Sequence, residues 1–213
     1  MTKTAPKRRR PEARPDEILD AALTVFDRKG FAAARVDDIA RRAGLSKGAV
    51  YLYFPSKDAM LHALIERSAG ALARAGEALV AEGGARDAEA AYRAVLTLIL
   101  TALNDPTVSA APRLVLAEAP RFPELARFYR EHVIEVGQRA LRSLLAQGNH
   151  QGAFRNVDPD AALRAFMGPV LAHLMLTTVF HRPGDEAKNP ADMADAIADI
   201  VLYGLKPRDG VPS

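Results

Sequence analysis

Apolar residues recur at intervals of three and four along almost the whole chain, beginning with Ile18, Leu19, Ala22, Val25 and Phe26. That spacing puts them on one face of an α-helix, whereas a half-buried β-strand needs strict alternation of apolar and polar residues. Val, Ile, Thr and the aromatic residues never alternate with polar residues over a long run. We therefore expect an all-α fold of nine helices, with three in an amino-terminal head and six in a body.

Proline, glycine and capping residues mark where these helices begin and end. Pro15 precedes the first helix and Gly30 ends it, while the pair Gly83-Gly84 ends the long fourth helix. A break is expected near Pro112, and Gly148 is expected to end the seventh helix. The predicted helices span about 16–29, 36–43, 47–53, 56–83, 87–103, 107–119, 124–147, 159–181 and 190–205.

Charge is distributed unevenly along the chain. Residues 1–57 carry 13 Lys and Arg against 7 Asp and Glu, whereas the remainder carries 16 basic and 19 acidic side chains. A positive front end on a mildly acidic protein suggests a polyanionic partner for that end alone. Residues 1–14 form the expected basic arm, which should be disordered when alone. Entry of this arm into the minor groove of DNA and a merely solvated tail are both compatible with its composition.

The chain has no cysteine, which excludes a disulfide framework, a thiolate metal site and a cysteine nucleophile. Its amino terminus lacks the apolar stretch of a signal peptide. No uninterrupted apolar run reaches the roughly 20 residues that a membrane-spanning helix needs. We therefore expect a cytoplasmic protein with no membrane partner.

A tight turn at Ala43-Gly44-Leu45-Ser46 joins two short predicted helices. Gly44 suits the left-handed backbone that ends the first helix, and Ser46 suits the hydroxyl cap that begins the second. The small residues Gly48 and Ala49 then let the second helix approach a groove closely. Taken one at a time, these signals also fit a plain helical hairpin. Together they have the form of a helix-turn-helix, whose second helix reads the major groove of DNA.

The ordered set of residues around this turn resembles the TetR/AcrR family of bacterial regulators. The likeness runs from Ile18 to Leu61 and rests on Ile18-Leu19-Asp20-Ala21-Ala22, Phe26, Gly30-Phe31, Val36-Asp37-Asp38-Ile39-Ala40, Ala43-Gly44-Leu45-Ser46-Lys47-Gly48 and Tyr51-Leu52-Tyr53-Phe54-Pro55-Ser56-Lys57. It implies a homodimer with a three-helix DNA-binding head, residues 15–57, and a helical body, residues 58–213, that binds a small effector and dimerises. The chain departs from the family at Ala34-Arg35, where Thr or Ser usually caps the second helix.

The resemblance also implies which residues contact DNA. Lys47, Tyr51, Tyr53 and Lys57 would touch the phosphate backbone, and residues 47–52 would face base edges. We add the hypothesis that Arg35 supplies a phosphate contact in place of the missing hydroxyl. The expected DNA-binding residues are Arg35, Ser46, Lys47, Gly48, Ala49, Tyr51, Leu52, Tyr53 and Lys57.

The stretch from Arg113 to Tyr129, together with Gly152 and Asp158-Pro159, resembles the AefR-type carboxyl-terminal domain of some family members. This resemblance implies an effector pocket inside the body and names no ligand. The candidate pocket residues are Phe122, Tyr129, Phe166, Met167 and His173. Each of them also fits an ordinary core or interface position.

The last two helices are the expected dimer interface. One is apolar almost all round, and the other carries an apolar stripe, so the two could build a four-helix bundle across a two-fold axis. Burial within one monomer stays open for either helix alone. The expected interface residues are Phe166, Val170, Leu174, Met193, Ile197, Ile200, Val201 and Gly204. Two heads would then address successive major grooves of a roughly palindromic operator.

Other classes of protein fit the sequence less well. The five His are scattered, and no His-Glu-x-x-His or Gly-x-Ser-x-Gly motif occurs. The carboxylates Glu118, Glu124 and Glu131 fit a solvated helix face. We therefore expect neither an enzyme nor a cofactor or metal site. A ligand-independent regulator, or an activator, would have the same DNA-binding motif. We favour the interpretation that the protein is a homodimeric repressor that a small effector releases from its operator. It would be associated with the nucleoid when bound to DNA.

Overall fold

The computed structural model describes residues 14–182, 184 and 189–205 of the chain. These residues are all-α, as predicted, and form nine helices. The helices are α1 (Arg14–Ala33), α2 (Val36–Ala43), α3 (Lys47–Tyr51), α4 (Lys57–Ile65, Glu66–Gly70 and Ala71–Gly83), α5 (Ala88–Leu103), α6 (Pro106–Glu118), α7 (Pro123–Tyr129, Arg130–Ile134 and Glu135–His150), α8 (Pro159–Leu174 and Met175–Val179) and α9 (Pro190–Leu205). The predicted basic arm lies outside the described residues, except for Arg14, which begins α1.

Helices α1–α3 form the head, and local residues set their ends. Gly30 has a φ of 74° and interrupts the helical backbone of α1, while Gly44 has a φ of 68° and ends α2. Both angles lie in the left-handed region that glycine tolerates best. Phe26, Phe31 and Ile39 are almost completely buried between the three helices. The predicted bounds of α2 and the predicted turn after it are therefore confirmed.

Three long helices of the body each contain one π-helical turn, at Glu66–Gly70, Arg130–Ile134 and Met175–Val179. Such turns are rare and occur often at functional sites. The π-helical turns of α4 and α7 pack against each other. Periodicity did not predict these turns, because the apolar residues on either side of each turn still recur at helical spacing.

Two predicted helix interruptions are wrong. α6 continues through Pro112, so the missing backbone N–H does not end this helix. α7 continues past Gly148 to His150, and a Cβ at Gly148 would collide with the ring of Phe154. Gly148 therefore allows close packing of the following loop and is not a helix end.

Two groups of buried apolar residues hold the molecule together. The first fills the head and continues into the body, because Leu114 and Val115 of α6 and Leu125 of α7 pack with the residues of α1–α4. The second lies within the body and joins α4, α5, α7, α8 and α9. Head and body thus share a continuous core where α6 meets α1.

The expectation that no stretch could span a membrane is wrong for α8 by length and composition. Pro159–Val179 meets those two requirements, and so does the bent pair α5–α6 if it is taken as one span. Buried helices of proteins outside membranes can meet them as well. Phe166, Val170 and Leu174 place one flank of α8 in the body's core, yet only 22% of its most apolar window is buried. α8 therefore carries an apolar flank that the monomer leaves open.

The DNA-reading head and the cavity of the body

The recognition helix α3 presents small and aromatic residues outward. Ser46 caps it, because the Ser46 Oγ accepts a hydrogen bond from the Ala49 N–H at 3.1 Å. Leu52 is 85% exposed, and the rings of Tyr51 and Tyr53 are about two-fifths exposed. A Cβ built at Gly48 would have no heavy atom within 4 Å. This surface is therefore unobstructed, as insertion into the major groove of DNA requires.

Arg35 precedes α2 in extended backbone and makes no side-chain cap for it. The N–H groups of the first turn consequently lack the hydroxyl acceptor that helix starts usually have. Nearby, the Lys47 Nζ lies 2.9 Å from the Asp37 Oδ2, an ion pair between the first turn of α3 and the first turn of α2. Both side chains are more than half exposed, so a phosphate could compete for the Lys47 ammonium.

Lys57 is engaged within the head. Its Nζ donates to the carbonyl oxygens of Phe31 at 2.8 Å and Ala32 at 3.1 Å, and it lies 4.5 Å from the centre of the Phe31 ring. A lysine ammonium has three donors, so one N–H remains for a phosphate. Lys57 thus anchors the start of α4 to the end of α1.

The junction of head and body contains a buried carboxylate. The Glu118 Oε1 accepts a hydrogen bond from the Phe31 N–H at 3.0 Å, and the side chain is only 6% exposed. The expectation of a solvated face is therefore wrong for Glu118, although it holds for Glu124 and Glu131, which are exposed. The Glu118 Oε2 is buried with no hydrogen-bond partner among the described residues. Sequence periodicity could not find this contact, because it joins residues 87 positions apart.

The body encloses a cavity of about 150 Å³ between α4, α5, α6, α7 and α8. Its lining side chains are apolar apart from the hydroxyl-bearing Tyr129. Burial raises the pKa of Tyr129 to about 12, so the hydroxyl is neutral and can donate. The lining includes Leu72, Gly76, Val95, Ile99, Pro112, Val133, Gly137, Leu144, Leu163, Phe166, Met167 and Val170.

The structure brings three of the five candidate pocket residues to this cavity. Tyr129, Phe166 and Met167 line it, whereas Phe122 and His173 do not. Phe122 packs edge-on against Phe31 at the head–body junction, with ring centroids 5.2 Å apart. His173 lies on α8 outside the lining; its Nε2 is buried without a partner among the described residues, and burial lowers its pKa.

The predicted interface residues differ in how far the monomer buries them. Phe166, Val170 and Leu174 are buried within the monomer, and Met193, Ile197 and Val201 are partly buried against the same core. The Gly204 carbonyl accepts a hydrogen bond from the Arg155 Nε at 3.0 Å. Of the eight, only Ile200 is largely exposed, at 77%. The exposed large apolar side chains of the last two helices, with Phe180 directly after α8, are named here the carboxyl-terminal apolar surface: Leu171, Leu176, Val179, Phe180, Ile200 and Tyr203.

Comparison with known families agrees with this architecture. The family model described as bacterial regulatory proteins, tetR family, matches residues 18–64, and the model for the C-terminal domain of AefR-like transcriptional repressors matches residues 90–205. The chain belongs to the TetR family. It is therefore a transcriptional regulator whose helix-turn-helix binds DNA, in a family of regulators and not of enzymes.

Relatives and solved structures match over most of their length. The TetR-family chain is 32% identical to the HTH-type transcriptional regulator YfiR of Bacillus subtilis over 73% of its own length and 75% of that protein. It is 29% identical to the transcriptional repressor KstR2 of Rhodococcus jostii over 90% and 91% of the two chains. The structure of FadR from Bacillus subtilis in complex with stearoyl-CoA has a TM-score of 0.69, with 20% identity, over 89% of this chain and 98% of that one. This last likeness shows the shared fold.

Proposed function

We propose that this TetR-family regulator is a homodimeric repressor that binds a roughly palindromic operator and is released from it by a small apolar effector. The observation that carries the proposal is the course of α4. Met60, Leu61 and Ile65 of this helix pack in the head, and Leu72 and Gly76 of the same helix line the cavity. A ligand that prefers one arrangement of the cavity would therefore bias the position of the head.

Recognition of the operator is assigned to the start of α2, the whole of α3 and the start of α4. Arg35, Lys47, Tyr51, Tyr53 and Lys57 would hold the phosphate backbone, and residues 47–52 would face base edges. The exposure of Leu52 and the open space beside Gly48 support this assignment. The family membership supports it independently.

Dimerisation is assigned to the carboxyl-terminal apolar surface. Leu176, Phe180, Ile200 and Tyr203 are each more than 60% exposed, and exposed apolar side chains concentrated on two neighbouring helices favour a partner protein. A second copy of the chain would cover both helices in a four-helix bundle and bring two heads together. Such a dimer would act in the cytoplasm on nucleoid DNA.

The effector would be an elongated, mainly apolar molecule with one neutral hydrogen-bond acceptor. The cavity lining carries no charged side chain, and the Tyr129 hydroxyl is its one polar group among the described residues. FadR, which shares the fold, was solved with stearoyl-CoA, so a long acyl chain is the first class to test.

Selection of bound fragments from random double-stranded DNA tests the operator proposal. We expect an inverted repeat whose half-sites are centred about 10 base pairs, or a multiple of that, apart. A direct repeat or a single half-site would contradict the homodimer that we propose.

Titration of stearoyl-CoA against the complex with the selected operator tests the effector proposal. We expect it to release the wild-type protein and to release Gly137→Phe far less, because Gly137 lines the cavity and its Cβ position has no heavy atom within 4 Å. Ala81→Phe, at an exposed position on α4 outside the lining, is the matched control. Equal release of all three proteins would place the acyl-CoA outside the cavity, and no release of any of them would exclude stearoyl-CoA as the effector.

A further inference from the structure

A basic hollow lies between α1 and α2, outside every contact assigned above to the operator. It has a volume of about 360 Å³ and is lined by Thr24, Val25, Arg28, Lys29, Asp38, Arg41 and Arg42. Four of these seven side chains are cationic and one is anionic. An anion is therefore the kind of ligand that this surface favours.

Asp38 fixes two of the four cations in place. The Lys29 Nζ lies 2.7 Å from the Asp38 Oδ2, and Arg41 pairs with the other oxygen of the same carboxylate, which is only 15% exposed. The Lys29 and Arg41 contacts lower the pKa of Asp38, so this carboxyl stays ionised at neutral pH. The hollow thus has a preformed frame that holds a net positive charge.

Arg28 and Arg42 complete the hollow, and both are exposed. Among the residues that the structure describes, neither has an ion-pair or hydrogen-bond partner. The carboxylate next to Arg28 in the sequence, Asp27, faces away toward Arg113, with 3.3 Å between the Asp27 Oδ1 and the Arg113 guanidinium nitrogen. Two guanidinium groups, which match phosphate geometry well, are therefore available at the rim.

Helix α2 separates this hollow from the recognition helix. Asp37 of α2 contacts Lys47 of α3, and the next residue, Asp38, contacts Lys29 of α1. Packed helices lie about 8–10 Å apart, so the hollow is roughly 15 Å from α3. The major groove that receives a recognition helix is about 12 Å wide. Phosphates of the duplex just outside that groove therefore lie at a distance from α3 comparable with that of the hollow.

We propose that this hollow binds the phosphate backbone of DNA that flanks the operator core. The proposal rests on the DNA-binding head and not on the repressor or effector assignments. The duplex already held by α3 is the polyanion present there at the highest local concentration. An acidic face of a second regulator bound alongside is the competing partner, and the experiment below separates the two.

The test measures affinity on two duplexes that share the selected operator. One ends at the last base pair of the selected inverted repeat, and the other extends by about ten base pairs, one helical turn, on each side. In the variant Arg28→Gln/Arg42→Gln, we expect affinity for the long duplex to fall about tenfold and affinity for the short one to change less than twofold. The salt slope on the long duplex should fall by about 0.9 for each phosphate contact removed.

Two further variants complete the design. Arg86→Gln/Arg142→Gln removes the same charge from two exposed positions of the body and should match the wild type on both duplexes. Arg28→Lys/Arg42→Lys keeps the charge and should retain most of the extra affinity for the long duplex, because a lysine still binds phosphate as a point charge.

Three outcomes would overturn the proposal. Equal losses on the short and long duplexes would place the arginines at the operator core, and losses no larger than those of the body control would leave the hollow without a DNA contact. If Arg28→Gln/Arg42→Gln weakened only the binding of a second dimer and left the salt slope on the long duplex unchanged, the hollow would bind a protein partner. Failure of the operator proposal would appear separately, because the wild type would then bind selected and scrambled sequences with equal affinity. In that case the short and long duplexes can be compared with scrambled sequences instead.

Discussion

The carboxylate of Glu118 joins the body to the head through the backbone of Phe31. Replacing it by Ala should lower the free energy of unfolding by about 1–3 kcal/mol, because the Phe31 N–H would stay buried without an acceptor. Glu118→Gln keeps an acceptor oxygen at the same place and should lose less. Urea denaturation of the three proteins, together with hydrogen exchange at the Phe31 amide, measures the difference. Equal losses for Ala and Gln would show that the hydrogen bond contributes little.

His62 makes stability depend on pH. Its ring stacks on Phe128 with centroids 3.8 Å apart, and burial lowers its pKa below 6.5, an effect that the nearby Asp58 opposes and His132 reinforces. The unfolded chain therefore binds the proton at a higher pH than the folded one. The contribution of His62 is fully present above about pH 6.5 and is lost as the pH falls toward its folded pKa.

Replacing this histidine by glutamine gives the corresponding prediction. Between about pH 7.5 and about pH 5.5, the free energy of unfolding of His62→Gln should fall less than that of the wild type. Urea denaturation at both pH values measures the fall, and His150→Gln, at the exposed end of α7, is the control. His173 supplies a further part of the wild-type slope, since burial lowers its pKa too. A larger fall in His62→Gln than in the wild type would reverse the assigned direction.

At the scale of the elements, α2 lacks the cap that α3 and α4 possess. Ser46 and Ser56 each accept a hydrogen bond from an N–H of the helix that follows, whereas Arg35 accepts none. Arg35→Ser should therefore raise the free energy of unfolding by about 1 kcal/mol, and Ser46→Ala should lower it by a similar amount. Thermal denaturation at one salt concentration measures both changes.

The same Arg35 variant also tests the proposed phosphate contact. If Arg35 binds a phosphate, Arg35→Ser should be more stable yet bind the operator more weakly, with a salt slope reduced by about 1. Arg35→Ala is the control that removes the guanidinium without supplying a cap. Undiminished operator affinity and an unchanged salt slope in both variants would remove Arg35 from the interface.

The elements that the sequence predicts best are those whose ends depend on neighbouring residues. Gly44 and Ser46 determine the turn between α2 and α3 through their own backbone and side chain, so the sequence suffices. Pro112 and Gly148 carry equally strong local signals, yet the helix interruptions that they predict are wrong. Their roles depend on the packed structure, which periodicity does not contain: Pro112 is buried in the body, and the ring of Phe154 packs against Gly148.

At the scale of the whole molecule, the same limit applies to the candidate site. Helical spacing shows that a residue must be covered but does not show by what. The spacing places Phe166 in both the predicted pocket and the predicted interface. In the structure its ring packs edge-on against Tyr92 of the same chain, with centroids 5.4 Å apart. The long-range contact between Glu118 and Phe31 leaves no trace in local pattern. The helix-turn-helix was easier to predict, because the residues that form its turn and cap lie within one short segment.

The carboxyl-terminal apolar surface carries the remaining prediction. Ile200 and Tyr203 are 77% and 83% exposed on α9, so Ile200→Glu/Tyr203→Glu should leave the monomer folded. In a dimer interface, however, the two carboxylates would be buried without partners. We expect sedimentation to show a monomer and operator affinity to fall by about 10²–10⁴, because the second half-site no longer binds as part of the same molecule.

Leu116→Glu is the matched control for that variant, since Leu116 is an exposed apolar residue on α6, away from the last two helices. It should remain a dimer with wild-type operator affinity. Circular dichroism should show the same helix content in all three proteins, which separates loss of the dimer from loss of the fold. A dimeric double variant that still binds the full operator would move the interface to another surface, and the exposed flank of α8 would then need a different partner.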